Sequence, residues 1–398
     1  MGKLSDRVQR ISESQTIAMA RKSRELKAQG IDIISLSLGE PDFPTPDIIK
    51  EAAKKAIDEN FSYYTHVSGY LELREAVCKK FKRDNGLDYT ADEIVVSTGA
   101  KQSIANAVLC LVNPGDEVII PAPFWVSYLE ILKMAEGKAV FIETDVEQDF
   151  KISAQQLEKA ITPKTRLLMM SSPCNPTGSV YTKEELKALA EVIAKHPDLY
   201  IISDEIYEHI NFCGGHQSFA QFDFIKDRVI TINGVSKGFS MTGWRGGIMA
   251  APKWIAQACD KIQGQFTSAT SSITQKAMHK AMELDYETYI KPMRDAFLKR
   301  RDLVVSLMKD IPGLKCNVPQ GAFYVYPEVS AFIGKSYQGT KINNATDLSL
   351  FLLEHSHLAL VPGAAFGEDR YLRISYAASE EVLRKAMTRL KEGLAKLS

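Results

Sequence analysis

Residues 234–245 read GVSKGFSMTGWR and follow an alternating apolar run, Val229–Ile232. Lys237 stands here among glycines and hydroxyl residues, and Arg245 follows eight positions later. A lysine can form an imine with an aldehyde, and an arginine beside hydroxyl groups can hold a phosphate. A pyridoxal 5′-phosphate enzyme requires both of these features, so our first hypothesis for this stretch is the cofactor lysine of such an enzyme.

The same stretch allows two other interpretations. Gly234–Gly238 matches G-x-S-x-G, the turn that carries the serine nucleophile of α/β-hydrolases and also follows a strand. Ser236 would then need an acid and a histidine from later in the chain, where His279, His355 and His357 are available. The remaining alternative is a glycine- and serine-rich turn with one exposed lysine. The rest of the chain has to decide among the three.

Composition narrows the class of protein. The chain has 398 residues, 45% hydrophobic and 25% charged, which is typical of a globular protein long enough for two domains. Lys plus Arg and Asp plus Glu both total 49, so the charge balance favours neither nucleic acid nor a membrane surface as partner. The six cysteines contain no C-x-x-C pair, and no apolar run reaches the roughly 18 residues that span a bilayer. We therefore predict a cytoplasmic protein without a metal site.

Strand-like and helical patterns alternate through the middle of the chain. Glu93–Thr98 is followed by a helical pattern over Lys101–Val112, for example, and further pairs follow. This alternation predicts an α/β domain with a mostly parallel sheet, helices on both faces and a binding crevice at the carboxyl ends of the strands. The two ends of the chain lack this alternation. We predict a large domain over 46–288 and a smaller α+β domain built from 1–45 and 289–398.

Two candidate residues follow strand-like runs in the central part of the chain. Asp204 comes after Tyr200–Ser203, where a carboxylate could keep the pyridine nitrogen of the cofactor protonated. The alternative role for Asp204 is a helix N-cap. Tyr207 would share its face if the next turn were helical. Asn175, held in the turn SPCNPTG, could donate to the ring oxygen of the cofactor or form an Asx turn.

Other candidates concern the phosphate and the ring face. Gly99–Lys101 lies where a strand gives way to a helix, and backbone N–H groups at a helix N-terminus attract anions. Ser236 and Arg245 would complete the neutralisation of the phosphate. Trp125 is the candidate for stacking on the ring, although a single tryptophan is more often a packing residue.

Arg373 is the candidate ligand for a substrate carboxylate. It lies in the strand-like run Tyr371–Tyr376, on the same face as Ser375. A forked guanidinium on a rigid strand suits a carboxylate held by two hydrogen bonds. The alternative is an ordinary exposed ion pair.

Taken in order, these motifs resemble those of the class I/II aminotransferase family, fold-type I enzymes that use pyridoxal 5′-phosphate, and those of its bacterial aspartate aminotransferases in particular. The resemblance covers nearly the whole chain. It rests on Gly39-Glu40-Pro41-Asp42, Tyr64, Gly99-Ala100-Lys101, Trp125, Asn175-Pro176-Thr177-Gly178, Asp204-Glu205-Ile206-Tyr207, Ser236-Lys237, Arg245 and Arg373. The ordered set leaves the hydrolase as a minor alternative.

The resemblance implies that Lys237 forms the imine and moves the substrate proton, while Asp204 pairs with the ring nitrogen. The implied cofactor site consists of Lys237, Asp204, Tyr207, Asn175, Trp125, Ser236, Arg245, Gly99, Ala100, Lys101 and Tyr64 of the partner subunit. A site shared in this way implies a homodimer. The implied substrate site consists of Gly39, Trp125, Asn175 and Arg373, with Lys101 and Thr16 for a distal carboxylate.

The function that follows is the reversible transfer of an amino group from L-aspartate to 2-oxoglutarate in two half-reactions. The products would be oxaloacetate and L-glutamate. Prephenate or aromatic amino acids remain alternative substrates, because a lysine and a hydroxyl restrict a pocket less than a dedicated arginine does. A lyase on the same scaffold is a further alternative, since a fold does not determine its chemistry.

Overall fold

The computed structural model describes residues 4–398. In chain order its strands are β1 (Ile34–Ser35), β2 (Ile94–Thr98), β3 (Glu117–Ala122), β4 (Lys138–Glu143), β5 (Thr165–Ser171), β6 (Tyr200–Asp204), β7 (Val229–Gly234), β8 (Gly246–Ala250), β9 (Tyr324–Val325), β10 (Ser336–Tyr337), β11 (Thr340–Lys341), β12 (Leu358–Ala359), β13 (Val361–Pro362) and β14 (Leu372–Ser375). The helices are α1 (Asp6–Gln9), α2 (Gln15–Ala28), α3 (Asp47–Asp58), α4 (Leu71–Lys80), α5 (Ala100–Leu111), α6 (Ser127–Met134), α7 (Ala154–Ala160), α8 (Lys183–Ala194), α9 (Lys253–Phe266), α10 (Ser272–Glu283), α11 (Tyr286–Tyr289), α12 (Lys291–Lys309), α13 (Ala345–Ser356) and α14 (Glu380–Ala395).

Seven strands form the central sheet in the order β2-β8-β7-β6-β5-β3-β4. The pairs from β7 to β4 are parallel, and β8 runs antiparallel to both of its neighbours. Only residues 235–245 connect β7 to β8, which is too short for a parallel crossover. The carboxyl end of β7 and the start of β8 therefore meet at one edge of the sheet, together with the carboxyl end of β6.

Helices cover both faces of this sheet, as the pattern of β5 illustrates. Leu168 and Met170 pack into a core with α3, α4, α8 and α10, whereas Leu167 and Met169 pack into a second core with α5, α6 and α9. Side chains of a strand alternate between faces, so a strand buried on both sides is apolar throughout. The predicted α/β fold with a mostly parallel sheet is confirmed.

The chain ends form a smaller region beside the sheet. It contains the antiparallel sheet β13-β14-β9, the parallel pair β1-β12 and the hairpin β10-β11. Its core joins α12, α13 and α14 and also includes Leu36 and Tyr207, so it is continuous with the turn after β6. The domain boundaries at 45/46 and 288/289 stay a prediction.

The condition stated for Tyr207, a helical turn after β6, is not met. The chain does not become helical after β6 but passes through consecutive turns, so Asp204 ends a strand and Tyr207 does not lie on a helical face. Ile206 donates its N–H to Asp204 Oδ1 at 3.3 Å, which is a local turn rather than a helix cap. No helix within residues 4–398 has both the length and the apolar character that crossing a membrane demands.

Candidate active site

A cavity of about 430 Å³ opens at the carboxyl edge of the sheet, between it and the smaller region. It brings together most of the candidate residues: Thr16, Gly39, Ala100, Lys101, Trp125, Asn175, Asp204, Tyr207, Ser236, Lys237, Arg245 and Arg373. Two candidates lie outside its lining. Gly99 immediately precedes Ala100 at the start of α5, and Tyr64 is 98% exposed.

Lys237 lies in the connection between β7 and β8. Its Nζ donates to the carbonyl oxygen of Gly39 at 2.5 Å and lies 5.7 Å from the ring centre of Tyr207. Burial lowers the pKa of Lys237 to about 8, and the positive charges of Arg373 and Arg245 act in the same direction, against the carboxylate of Glu40. A substantial share of this amine is therefore neutral near pH 8, where it can act as a nucleophile or a base.

Asp204 is a buried carboxylate, 4% exposed, at the end of β6. Tyr128 donates its hydroxyl to Asp204 Oδ2 at 2.7 Å. Burial raises the pKa of Asp204 to about 6 despite the hydrogen bonds from Tyr128 and from the N–H of Ile206. A carboxyl group in this state would gain from a cationic partner inside the cavity.

Arg373 is buried on β14, with an exposed fraction of 2%. Its guanidinium donates to Asn175 Oδ1 at 3.0 Å and to the carbonyl oxygen of Ser37 at 2.6 Å, while its Nε has no partner among residues 4–398. The guanidinium also lies 4.5 Å from the ring centre of Tyr324. Burial lowers the pKa of Arg373, and no carboxylate offsets this effect. The side chain is thus a buried cation prepared for an anionic ligand.

The start of α5 forms an anion cradle with Arg245. Gly99, at the N-cap of α5, has φ of 85°, and a Cβ there would collide with the guanidinium of Arg245. Only glycine therefore lets this backbone turn approach the arginine so closely. Arg245 itself donates to the carbonyl oxygen of Thr242 at 2.8 Å. The N-terminus of α5 and Arg245 together favour an anion such as a phosphate.

Lys101 and Trp125 form one wall of the cavity. Lys101 Nζ lies 5.1 Å from the ring centre of Trp125. Partial burial and the neighbouring Arg245 lower the pKa of Lys101, although its side chain still reaches solvent. Thr16, at the start of α2, has a buried hydroxyl without a hydrogen-bond partner among the described residues. A cation and a free hydroxyl therefore line the same cavity as Arg373.

Two functional candidates escaped the sequence analysis. Tyr128 anchors Asp204, and Tyr324 holds the hydroxyl of Tyr207 at 2.8 Å while it stacks against Arg373. The signal for Tyr128 was its place three residues after the candidate Trp125. In the structure Tyr128 lies in the first turn of α6, and the two rings pack edge to face with their centres 5.5 Å apart. Tyr324 gave no such signal, since it reads as one more apolar position of a buried strand.

The serine hydrolase alternative finds no support in this geometry. Ser236 lines the cavity, but no histidine of residues 4–398 does so. His279 lies on α10 near Glu283, and His355 packs on Tyr337. A serine nucleophile needs a base within hydrogen-bonding reach, and the cavity does not supply one.

The cavity fits pyridoxal 5′-phosphate. Lys237 offers a buried amine of lowered pKa, and Asp204 is a buried carboxylate that forms no ion pair with any residue of the described range 4–398. The Gly99 turn with Arg245 suits the phosphate, and the indole of Trp125 faces the cavity where a ring could stack. These four features match the four requirements of the cofactor.

Comparison with known proteins also indicates an enzyme that uses pyridoxal 5′-phosphate. Residues 31–390 match the family described as aminotransferase class I and II. The aspartate/prephenate aminotransferase of Cereibacter sphaeroides is 47% identical over all of both chains. A bifunctional aspartate aminotransferase and glutamate/aspartate-prephenate aminotransferase of Petunia hybrida is also 47% identical, over 98% of this chain and 82% of its own.

Solved structures agree in fold. The aspartate aminotransferase of Rhizobium meliloti superimposes with a TM-score of 0.96 at 41% identity, over the full length of both chains. The aspartate aminotransferase of Thermus thermophilus with maleate gives 0.93 at 39% identity, over 99% of this chain and all of that one. This chain therefore belongs to the class I and II aminotransferases, which are pyridoxal 5′-phosphate enzymes.

Proposed function

We propose that the protein is an aspartate aminotransferase, which passes the amino group of L-aspartate to 2-oxoglutarate and yields oxaloacetate and L-glutamate. The observation that carries the proposal is the pair of cationic residues in one cavity, the buried Arg373 and the more exposed Lys101. Two separated cations suit a substrate with two carboxylates. The relatives named above act on aspartate by their names, and maleate, found with the Thermus protein, is a four-carbon dicarboxylate as aspartate is.

Pyridoxal 5′-phosphate supplies an aldehyde that condenses with amines and a protonated ring that accepts the electron pair left at the substrate α-carbon. Lys237 Nζ would remove the proton from that carbon, and its pKa of about 8 provides the neutral amine that this step needs. Asp204, held by Tyr128, would keep the ring nitrogen protonated. The amine of Lys237 stays close to Gly39, where the substrate would bind.

Arg373 would bind the α-carboxylate of the substrate. Its Nε is buried and unpartnered, and its bond to Asn175 Oδ1 can be exchanged for a bond to a carboxylate. The ring of Tyr324, whose centre lies 4.5 Å from the guanidinium, restricts its position. A planar donor held in this way can accept a carboxylate through two hydrogen bonds, which orients the α-carbon towards Lys237.

Lys101 and Thr16 would bind the distal carboxylate. Lys101 supplies the charge, and the buried Thr16 hydroxyl supplies a donor that otherwise lacks a partner. Trp125 lies beside the Lys101 ammonium and so defines the width of the pocket. Prephenate, which also carries two carboxylates, is a second candidate substrate, since several relatives are named aspartate/prephenate aminotransferases.

The direct test follows the visible absorption of the bound cofactor. L-Aspartate should bleach the band and 2-oxoglutarate should restore it, whereas Lys237→Ala should lose turnover by at least about 10⁴-fold. Lys101→Ser should lower kcat/KM for aspartate by roughly 10- to 100-fold. L-Alanine, which has no distal carboxylate, is the matched control and should be affected by less than about threefold.

Two results would contradict parts of the proposal. A band that ignores aspartate but responds to another amino acid would remove the substrate assignment and keep the family chemistry. Unchanged aspartate kinetics in Lys101→Ser would remove the distal-carboxylate role of Lys101 alone. Prephenate is tested in the same way, as the acceptor in place of 2-oxoglutarate.

We also propose that the protein works as a homodimer with shared active sites. Tyr64 and its neighbour Tyr63 are 98% and 83% exposed, and Phe266 is 69% exposed, which is unusual for aromatic side chains. Tyr64 of the partner subunit would then contact the cofactor phosphate. A cytoplasmic location is proposed because all six cysteines are free thiols.

Mixing two inactive variants tests the shared site. Tyr64→Ala and Lys237→Ala homodimers should each have low activity. After dissociation and reassociation, a mixed dimer contains one site with an intact Lys237 and an intact tyrosine from the other subunit. Activity should therefore return in the mixture. If it stays at the sum of the separate variants, Tyr64 does not act across a subunit interface.

A further inference from the structure

Helices α5 and α9 are joined by three side-chain contacts that recur at every fourth residue. Gln102 donates to Thr267 Oγ1 at 2.7 Å, Asn106 donates to Gln263 Oε1 at 3.1 Å, and the sulfurs of Cys110 and Cys259 lie 3.7 Å apart. The numbering rises along α5 and falls along α9, so the helices are antiparallel and one contact follows another at each turn. We call these three contacts the α5–α9 ladder.

We propose that Cys110 and Cys259 form a reversible intrachain disulfide when the protein meets a hydroperoxide. The bond would be a modification site at the end of the α5–α9 ladder that lies farthest from the cavity. Neither cysteine lines the cavity, so the site is separate from the aminotransferase chemistry.

The distance between the two sulfurs supports the proposal. A disulfide bond is about 2.05 Å long, so the 3.7 Å separation must shorten by only roughly 1.7 Å. Small rotations of the two side chains can supply this movement between helices that already pack together. Among the six cysteines, all within the described residues, no other pair is in hydrogen-bonding contact.

The two thiols differ in a way that suits a nucleophile and a resolving partner. Cys259 donates its S–H to Cys110, which lowers the pKa of Cys110 and raises that of Cys259. Cys110 is half-buried and can be reached by a small oxidant, whereas Cys259 is fully buried. Burial raises the pKa of the other cysteines, Cys78 to about 11. Cys110 is therefore the thiol most inclined to form the reactive thiolate.

The chemistry balances with one hydroperoxide. The Cys110 thiolate attacks the terminal oxygen of the hydroperoxide, the O–O bond breaks, and a sulfenic acid forms while an alkoxide leaves, which is hydroxide in the case of hydrogen peroxide. The Cys259 sulfur then attacks the Cys110 sulfur, the S–O bond breaks, and a disulfide forms. With hydrogen peroxide, two thiols lose two hydrogen atoms and the peroxide becomes two molecules of water. A dithiol reductant reverses the change.

The ladder shows what the bond would do to the structure. At its other end, Gln102 Oε1 accepts from the N–H of Thr98. In its middle contact, Gln263 donates to the carbonyl oxygen of Val96, so both helices are tied to β2. Cys110 lies roughly 13 Å along the helix axis from Lys101. We therefore expect the disulfide to stabilise the packing of α5 on α9 without removing activity.

The experiment uses the cofactor-loaded full-length protein. After treatment with hydrogen peroxide and removal of the excess, thiols titrated under denaturing conditions should fall from six to four per chain. Peptide mapping without reductant should show Cys110 joined to Cys259. The melting temperature should rise by roughly 5 °C, and dithiothreitol should reverse all three changes.

Variants separate this pair from general oxidation. Cys110→Ser should abolish both the crosslink and the rise in melting temperature, while Cys213→Ser, which removes the exposed thiol, should change neither. Peptide mapping of the oxidised wild-type protein needs no variant. It therefore tests the Cys110–Cys259 crosslink even if Cys110→Ser folds poorly. Loss of a single thiol at Cys213, a crosslink between chains, or six intact thiols would each overturn the proposal.

Discussion

The end of β6 and the turn after it contribute residues to two regions. The two regions differ in whether their buried charged side chains are paired with a group of opposite charge. Asp204 and Tyr207 point into the active-site cavity, whereas Glu205 and Glu208 belong to a cluster behind it. Among residues 4–398, the buried charges of the cavity form no ion pair, whereas Glu208 in the cluster is paired with Lys80. The contrast separates charged groups that can bind a ligand from charged groups that stabilise the folded protein.

The buried carboxylates of the cluster behind the cavity have partners within the protein. Lys80 forms a buried ion pair with Glu208, and Asn85 donates to the second oxygen of Glu208 at 2.9 Å. Burial alone would raise the pKa of Glu208, but Lys80 and the neighbouring histidines hold it well below its usual range. His216 lies 2.9 Å from Glu205, which also accepts hydrogen bonds from two serines. Glu208 remains ionised because the protein itself provides its partners.

The cavity shows the reverse. Burial raises the pKa of Asp204 to about 6 and lowers the pKa of Lys237 to about 8, so each group is pushed towards its neutral form. Arg373 cannot become neutral and remains a buried cation without a carboxylate. Such groups destabilise the empty protein, and a ligand of complementary charge removes that cost. Displaced pKa values of this kind are expected where binding or catalysis takes place.

The largest expected effect comes from breaking the paired region. Lys80→Met leaves Glu208 buried without its cation, and the free energy of unfolding should fall by about 3–5 kcal/mol. Urea denaturation of the cofactor-loaded protein measures this loss. The double variant Lys80→Met/Glu208→Leu is the control, because an apolar pair of similar size should recover most of the stability. If Lys80→Met unfolds like the wild type, the cluster does not have the structural role assigned to it.

In the cavity, a smaller effect of opposite sign on the free energy of unfolding is expected when the charge of Asp204 is removed. The pKa of Asp204 in the folded protein is above the ordinary value of 3.8, so the folded state binds its proton more tightly than the unfolded state does. The stability of the cofactor-free protein should therefore decline as pH rises from about 4 to 6, by up to about 3 kcal/mol. Asp204→Asn should lack this decline and be more stable than wild type at pH 8.

Glu208→Gln provides the matched control for this measurement. The pKa of Glu208 is lowered in the folded state, so its contribution to stability is present above the ordinary pKa and is lost as pH falls. Glu208→Gln should therefore be less stable than wild type at pH 8, whereas Asp204→Asn is more stable. If both substitutions raised the stability at pH 8, or both lowered it, the two regions would not differ as described.

The sequence was sufficient for the fold and for most of the residues that line the cavity. β-Branched runs alternating with amphipathic ones predict the sheet, and polar residues at strand ends, such as Asp204 and Asn175, meet at its carboxyl edge. Arg373 was predicted from its strand and lies in the cavity, although the structure adds that its cation is unpaired. Its role in substrate binding stays a prediction.

What the sequence could not predict depends on contacts between distant segments. Tyr324 contacts Tyr207 and Arg373 only because β9 pairs with β14 beside the turn after β6. Similarly, Glu208 reads as an ordinary acidic residue until α4 brings Lys80 against it. Side-chain type and spacing give the local geometry, but pairing of buried charges is a tertiary property.

The smallest expected effect concerns Tyr128, whose hydrogen bond to Asp204 lowers the pKa of that carboxyl group. Tyr128→Phe removes the hydroxyl that donates at 2.7 Å and leaves the buried ring in place. Losing a hydrogen bond to an ionised group costs about 1.5 kcal/mol, so the pKa of Asp204 should rise by about one unit. The decline of stability with pH in the cofactor-free protein should then extend about one pH unit higher.

Tyr181→Phe is the control for a lost buried hydroxyl, because Tyr181 is equally buried but accepts from the backbone N–H of Ile152. It should lower stability by about 1 kcal/mol at every pH and leave the Asp204 transition where it was. A pH-independent loss in Tyr128→Phe as well would make Tyr128 a packing residue only. If the pH range of the decline shifts in Tyr128→Phe and not in Tyr181→Phe, then Tyr128 sets the pKa of Asp204 in the cofactor-free protein.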